Sequence, residues 1–195
     1  FNNDGYLDLL NNPGGGGLSL SINNGGDGTF AGIGIGNFPS NTASQGAALG
    51  DFNGDGWLDV YVGGFESWPT DYWPDYVAMS TGELTYQMIT QPIGGIRPAR
   101  GVTAVDYNED GNVDVYVSNY RLEANYLWKN NGSGSTFPFS DAGASGGSGH
   151  AIGSAFGDLD SDGDVDIFAG NFAHSGQPQS RVYRNNGPGS NYSLT

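Results

Sequence analysis

Three nine-residue segments of this 195-residue chain share one spacing of acidic residues. They are Asp51-Phe52-Asn53-Gly54-Asp55-Gly56-Trp57-Leu58-Asp59, Asp106-Tyr107-Asn108-Glu109-Asp110-Gly111-Asn112-Val113-Asp114 and Asp158-Leu159-Asp160-Ser161-Asp162-Gly163-Asp164-Val165-Asp166. The common pattern is D-x-[DN]-x-D-G-x-φ-D, with φ apolar. A fourth copy opens the chain: Asn2, Asp4, Gly5, Leu7 and Asp8 hold positions 3, 5, 6, 8 and 9, and position 1 would fall just before Phe1. The complete copies begin at residues 51, 106 and 158, so the period is close to 50 residues. A fixed period of this length constrains the chain to an array of similar units, each packed on its neighbours.

The spacing has a chemical reading. Oxygens at alternate positions 1, 3 and 5 converge when a loop wraps around a point, and the Gly at position 6 permits the sharp turn. The carbonyl of position 7 and the carboxylate of position 9 complete a shell of hard donors. Six to eight oxygens at about 2.3–2.6 Å suit Ca²⁺ better than Mg²⁺, which demands stricter geometry and keeps its waters. The expected ligands are Asn2, Asp4, Tyr6 and Asp8; Asp51, Asn53, Asp55, Trp57 and Asp59; Asp106, Asn108, Asp110, Asn112 and Asp114; and Asp158, Asp160, Asp162, Asp164 and Asp166. Of these, Tyr6, Trp57, Asn112 and Asp164 would act through their backbone carbonyls. That makes about four Ca²⁺ sites, the first incomplete. A plain Asp-Gly hairpin turn explains one such segment, but not carboxylates or Asn at every donor position of four. An EF-hand is excluded, because position 12 is Val62, Val117 or Ala169 instead of Glu, and the flanking residues favour strands. Cys is absent, so disulfides and thiolate metal sites are excluded.

Each unit reads as four short strands. A Gly-rich apolar strand enters the loop (47–52, 101–107, 152–159) and a strongly apolar one leaves it (7–10, 58–62, 113–117, 165–169). A third strand follows (18–22, 76–79, 126–129, 182–184) and leads to a turn. The turn is Asn-Asn-Gly at Asn23, Asn130 and Asn185, and Ser80–Gly82 in the second unit; a weaker fourth strand closes each unit. The strands leaving the loops are apolar on both faces, as in sheets covered on both sides. The fold class expected is all-β, with propeller blades of four antiparallel strands, about four blades in all and the first incomplete.

On these loops and turns, and on Gly28-Thr29-Phe30 after Asn24-Gly25-Gly26-Asp27, the chain resembles the FG-GAP/VCBS repeat family of integrin-α-like calcium-binding β-propellers. The resemblance covers nearly the whole chain, as one propeller segment, 1–195, with approximate repeats 1–44, 45–98, 99–149 and 150–195. The family's propellers usually close with about seven blades, so three explanations stand open: part of a larger propeller, a homo-polymer completed by strand addition, or a four-bladed closure. What the resemblance implies about function is non-enzymatic: adhesion, scaffolding or self-assembly into a surface or fibrous structure, at an extracellular or cell-surface location, with a protein or glycan partner.

Charge adds to this. Six basic against 21 acidic residues give a formal net charge of −15, which disfavours nucleic acid and anionic membrane. Twelve of the acids, however, sit at ligand positions, and four bound Ca²⁺ would reduce the charge to −7. Aromatics at 13% exclude a disordered acidic tail. No apolar run approaches the roughly 20 residues of a membrane-spanning helix. No signal peptide is evident and Phe1 is not an initiator Met, so a processed start or a missing beginning is expected.

Other candidates are weaker. The stretch from Phe65 to Tyr76 concentrates aromatic and acidic residues, with Trp68, Tyr72 and Trp73 as candidate ligand contacts. It could stack on sugars in the manner of a lectin, anchor a protein partner, or cover the protein itself. Gly143–Gly147 fits G-x-S-x-G but lies in a Gly/Ser-rich linker without a strand–helix context, so no nucleophile is assigned. His150 and His174 lack a matching constellation. The glycines at 14–17 and 32–36 lack the context of a phosphate loop. Asn131 and Asn191 open N-glycosylation sequons.

Overall fold

The computed structural model describes residues 1–11, 18–35, 44–67, 71–90, 96–132, 138–143, 148–172 and 178–195. Trp68, His174, the glycines at 14–17, Ser133 of the first sequon and residues 144–147 of the G-x-S-x-G segment lie outside them. The described residues form strands and no α-helix. Repeat 1 holds β1 (Leu9–Asn11), β2 (Ser19–Asn23) and β3 (Phe30–Gly34). Repeat 2 holds β4 (Ser44–Gly50), β5 (Asp59–Gly64), the short hairpin β6 (Glu66–Ser67) and β7 (Asp71–Tyr72), β8 (Tyr76–Gly82) and β9 (Thr85–Thr90). Repeat 3 holds β10 (Ala99–Val105), β11 (Asp114–Asn119), β12 (Tyr126–Asn130) and β13 (Phe139–Asp141). Repeat 4 holds β14 (Ala151–Gly157), β15 (Asp166–Asn171) and β16 (Arg181–Tyr183).

The strands of each repeat pair antiparallel in chain order, giving sheets β1-β2-β3, β4-β5-β8-β9, β10-β11-β12-β13 and β14-β15-β16. The sheet of repeat 1 has three strands among the described residues. In repeat 4 the fourth strand is reduced to a single bridge between Asn185 and Leu194. Strand ends move by one to three residues from the sequence reading. The turn of repeat 2 also moves: β8 runs through Gly82, and the chain reverses at Glu83 and Leu84, with Leu84 at φ 54°.

Consecutive sheets pack face to face. Leu18, Leu20, Ile22 and Ile35 of repeat 1 meet Val60, Val62, Tyr76 and Ala78 of repeat 2. Phe52, Tyr61, Val77 and Met79 of repeat 2 meet Val115, Val117, Tyr126, Trp128 and Phe139 of repeat 3. Tyr107, Tyr116 and Leu127 of repeat 3 meet Ile167, Phe156 and Tyr183 of repeat 4. This is why the strands after the loops are apolar on both faces: β5 and β11 are fully buried. The first strands approach so closely that side chains are excluded. A Cβ on Gly101 would lie 2.7 Å from the Gly153 Cα, and one on Gly46 would lie 2.8 Å from the Arg100 carbonyl oxygen.

The first Asn of two Asn-Asn-Gly turns ties one repeat to the one before it. Asn130 Nδ2 donates to the Phe52 carbonyl of repeat 2 (2.9 Å) and to Val113 (3.1 Å), while its Oδ1 accepts from Gly132 N–H (3.0 Å). Asn185 repeats the arrangement with Tyr107 of repeat 3 (2.8 Å), Val165 (3.2 Å) and Gly187 N–H (3.1 Å). Asn23 makes the local bonds to Leu7 and from Gly26, on an exposed surface. In repeat 2 a Ser occupies this place, and Ser80 Oγ stays within its own turn, donating to the Gly82 carbonyl (3.0 Å) and accepting from Gly82 N–H (3.3 Å).

A buried carboxylate lies under the loop from 65 to 76. Asp75 accepts from Tyr61 O–H (2.6 Å) and Gly64 N–H (2.9 Å). Burial nevertheless pushes its carboxyl up to about 7, from 3.8. A folded-state value above the unfolded one favours folding when the group is protonated. This contribution is fully present below about pH 4 and is lost as pH rises through about 7. In urea titrations from pH 4 to pH 8, Asp75→Asn flattens the fall in stability relative to the parent. At neutral pH Asn130→Ala costs about 2–3 kcal/mol, since it removes a buried donor and acceptor together, whereas Asn23→Ala costs less than about 1 kcal/mol on its exposed surface.

Candidate metal centres

The four acidic loops share one backbone path. Position 6 is a glycine in the left-handed region in each: Gly5, Gly56, Gly111 and Gly163, at φ 89°, 87°, 86° and 97°. Position 4 is left-handed as well, at Asn3, Gly54, Glu109 and Ser161 (φ 57°, 73°, 56° and 64°). The variable residue of the motif is therefore under backbone constraint, a feature hidden because three different side chains tolerate it.

The position-1 and position-5 carboxylates turn inward over this path. Asp51 accepts from Asp55 N–H (3.0 Å) and Gly56 N–H (2.9 Å). Asp106 does the same with Asp110 (3.1 Å) and Gly111 (2.9 Å), and Asp158 with Asp162 (3.1 Å) and Gly163 (3.2 Å). Position 5 accepts from the position-7 N–H in every copy: Asp4 from Tyr6, Asp55 from Trp57, Asp110 from Asn112 and Asp162 from Asp164. Asn53 and Asn108 lean on position 5 through Nδ2, at 2.9 and 3.0 Å. In the fourth loop Asp158, Asp160 and Asp166 present oxygens that all lie within 4.8 Å of one another. Such a set of hard oxygens fits a divalent cation of the calcium kind.

Position 9 does something the spacing did not announce. Asp59 is fully buried, and accepts from Phe52 N–H in the loop (2.8 Å) and Ser80 N–H at the end of the third strand (2.7 Å). Asp114 accepts from Tyr107 (3.1 Å) and Asn130 (2.7 Å), and Asp166 from Leu159 (2.8 Å) and Asn185 (2.8 Å). Asp8 accepts from the Phe1 amino group (2.6 Å) and Asn23 N–H (2.8 Å). One carboxylate thus pins the loop to the sheet in all four repeats, and its oxygens still carry lone pairs for a cation. Burial, with a smaller contribution from the neighbouring aspartates, raises the carboxyls of Asp59 to about 6 and Asp114 to about 7, despite these hydrogen bonds. Burial also opposes ionisation of Asp8, but the Phe1 amino group and the Asn23 and Asn2 hydrogen bonds together outweigh it and the net shift is downward.

Two loops carry a cationic side chain from the third strand. Arg184 reaches Asp160 (2.5 Å) and Asp162 (2.8 Å), and Lys129 reaches Asp110 (3.4 Å). The residues at the same place in repeats 1 and 2 are Ile22 and Met79.

At the opposite end of the strands the aromatic loop is folded onto its own protein. Trp73 N–H donates to the Phe65 carbonyl (2.8 Å), and the backbone of Trp73 and Pro74 covers Gly64. Tyr72 and Trp73 are half-buried. Glu66 is held by Arg121 of repeat 3 in a two-point ion pair at 2.8 and 2.9 Å. Two of the loop's three acids, Glu66 and Asp75, are therefore engaged internally. Asn131 and Asn191 are exposed, and Asn191 lines a groove of about 430 Å³ between repeats 3 and 4 with Tyr107, Lys129, Asp141 and Tyr192.

The position-9 geometry sets an expected outcome. Asp114→Ala leaves the buried N–H groups of Tyr107 and Asn130 without their acceptor and costs about 2–4 kcal/mol in urea unfolding. Asp114→Asn, which keeps one acceptor oxygen, costs less than the Ala variant.

Comparison with known families places these loops. The model of the FG-GAP-like repeat matches residues 1–62 and 106–169, which include all four acidic loops. Among curated proteins none matches the chain. The matched residues make up more than half of the sequence, and their strand–loop–strand units are the ones described above; the chain belongs to the FG-GAP-like repeat family.

Proposed function

We propose that this chain is a non-enzymatic, calcium-stabilised repeat module of the β-propeller kind, serving adhesion or scaffolding outside the cell. The observation that carries the reading is the convergence of Asp158, Asp160 and Asp166 within 4.8 Å, on a loop whose backbone path recurs in all four repeats. In the two middle loops the full donor sets would be Asp51, Asn53, Asp55, Asp59 and the Trp57 carbonyl, and Asp106, Asn108, Asp110, Asp114 and the Asn112 carbonyl. The fourth loop would use Asp158, Asp160, Asp162, Asp166 and the Asp164 carbonyl, and the first would use the partial set Asn2, Asp4, Asp8 and the Tyr6 carbonyl.

The physical role follows from charge. Each loop gathers carboxylates that repel one another, and a divalent cation offsets that repulsion while leaving the position-9 hydrogen bonds in place. Ion binding to the folded loop is then folding free energy. Extracellular calcium modules bind at about 10⁻⁴–10⁻³ M, so millimolar surroundings would fill such sites. No group in the loops is arranged for proton transfer to a substrate, because the carboxylates are committed to backbone N–H groups and to the ion.

The internal engagement of Glu66 and Asp75 supports a covering role for the loop from 65 to 76 over an open sugar platform. The face available for adhesion or assembly then lies elsewhere on the repeats.

Calcium titration tests the proposal. The thermal midpoint in millimolar Ca²⁺ exceeds that in excess EGTA by several degrees, and Mg²⁺ does not substitute at equal concentration. An unchanged midpoint overturns it. Arg184→Gln removes the cation that competes for Asp160 and Asp162, so calorimetry on this variant shows tighter binding at one site and no change at the others.

A further inference from the structure

Asn is followed by Gly at four places in the chain: Asn24, Asn53, Asn131 and Asn186. In such a pair the next backbone nitrogen can attack the side-chain amide with little hindrance, because glycine puts no Cβ beside that nitrogen. The fold treats the four pairs differently. Gly132 N–H donates to Asn130 Oδ1 (3.0 Å) and Gly187 N–H to Asn185 Oδ1 (3.1 Å), so the attacking nitrogen is engaged at both. At the third pair the amide is turned away, and Asn24 Nδ2 donates across the hairpin to Thr29 Oγ1 (2.9 Å).

Asn53 instead folds back over its own glycine. Its Oδ1 accepts from Asp55 N–H (3.0 Å), which closes an Asx-turn around Gly54. The Asn53 Cγ and the Gly54 nitrogen then belong to one hydrogen-bonded ring, and the N–H donated to Oδ1 polarises the carbonyl under attack. Gly54 N–H makes no hydrogen bond among the described residues. Gly54 is exposed, and a Cβ built on it would meet no atom within 4 Å. The same turn recurs at position 3 of two other loops, where Asn2 Oδ1 accepts from Asp4 N–H (3.4 Å) and Asn108 Oδ1 from Asp110 N–H (3.3 Å). There the next residue is Asn3 or Glu109, whose side chain crowds the nitrogen. Turn and glycine coincide in the second loop.

We infer that Asn53 is a site of spontaneous covalent modification, deamidating through a cyclic imide formed with Gly54. The Gly54 nitrogen bonds to Asn53 Cγ and gives up its proton, the Cγ–Nδ2 bond breaks, and ammonia leaves. Water then opens the ring, at Cγ to give Asp or at the main-chain carbonyl to give isoaspartate. Nothing is oxidised or reduced, and water is the one co-reactant. Either product adds a negative charge at position 3 of the loop. Asp is the residue the fourth loop carries there, as Asp160. Isoaspartate lengthens the main chain by one carbon and removes the Asx-turn. That alters the path of a loop whose Gly56 carbonyl accepts from Asn3 Nδ2 of repeat 1.

The test ages the chain in mildly alkaline buffer with excess EGTA, below its unfolding midpoint. The chelator keeps the loops free of divalent ions, so the outcome does not depend on the calcium reading. Digestion and peptide mass spectrometry follow the change of amide to acid at each Asn, and chromatography separates Asp from isoaspartate. Asn53 converts on the order of tenfold faster than Asn24, Asn108, Asn131 and Asn186, and yields both products. Gly54→Ser slows Asn53 to the rate of Asn108; Ser is tolerated at this position in the fourth loop, where Ser161 has φ 64°. In denaturing urea the four Asn-Gly pairs react at one common rate, because the turns that distinguish them are gone. The inference is overturned by an Asn53 no faster than Asn24 or Asn108 in the folded parent, by a Gly54→Ser variant that reacts as fast as the parent, or by a folded-state ranking that persists in urea.

Discussion

In every repeat one carboxylate holds two parts of the backbone together. Asp8, Asp59, Asp114 and Asp166 each accept one hydrogen bond from the start of the acidic loop and one from the end of the third strand. Remove that anchor and the loop has no fixed relation to the sheet. The remaining carboxylates of the loop would then lose their common centre. The arrangement has a cost: the anchors at Asp59 and Asp114 are buried beside other aspartates and are held ionised only against burial and repulsion. In the proposed reading a divalent cation would lower the cost of ionisation at the anchor and gather positions 1, 3 and 5 at once.

The same loops also organise the contact between repeats. The third-strand residue whose N–H reaches the anchor is, in repeats 3 and 4, the Asn whose side chain crosses to the preceding repeat. Loop, sheet and neighbouring repeat thus meet at one residue. Ser80 keeps the anchor bond but not the crossing bond, so the junction of repeats 1 and 2 relies on apolar packing, together with a contact from Asn3 Nδ2 to the Gly56 carbonyl (3.3 Å). Glycines at 46 and 101 let the first strands approach closely enough for the apolar faces to interlock.

Much of this was legible in the sequence. The repeat period, the loop positions and the order of strands follow from the spacing of Asp and Gly and from apolar runs such as Leu58–Val62. The dual use of position 9 was hidden, because a spacing of acids says which oxygens can converge and not which N–H groups come from a strand 21 residues away, as Ser80 does to Asp59. The Asn-Asn-Gly turns signalled reversal of the chain, but the partner of Asn130 lies 78 residues distant. Left-handed backbone at Glu109 and Ser161 left no mark in residue type. The turn at Glu83 and Leu84 was misplaced because Gly82 reads as the turn residue while the β8–β9 ladder runs through it. Nothing in the spacing of the acids marks Arg184, which sits on the fourth loop itself at Asp160 and Asp162.

The central claim is that the position-9 carboxylate is the structural hinge of each repeat. Amide hydrogen exchange in buffer containing millimolar Ca²⁺ tests it most directly, at Ser80, Asn130 and Asn185 on the strand side and at Phe52, Tyr107 and Leu159 on the loop side. Both sets are expected to be protected to the level of the strand interiors, and Asp→Ala at position 9 of one repeat to release both amides of that repeat together. Loop-side amides that exchange at the rate of exposed turns while the strand-side amides stay protected would contradict it.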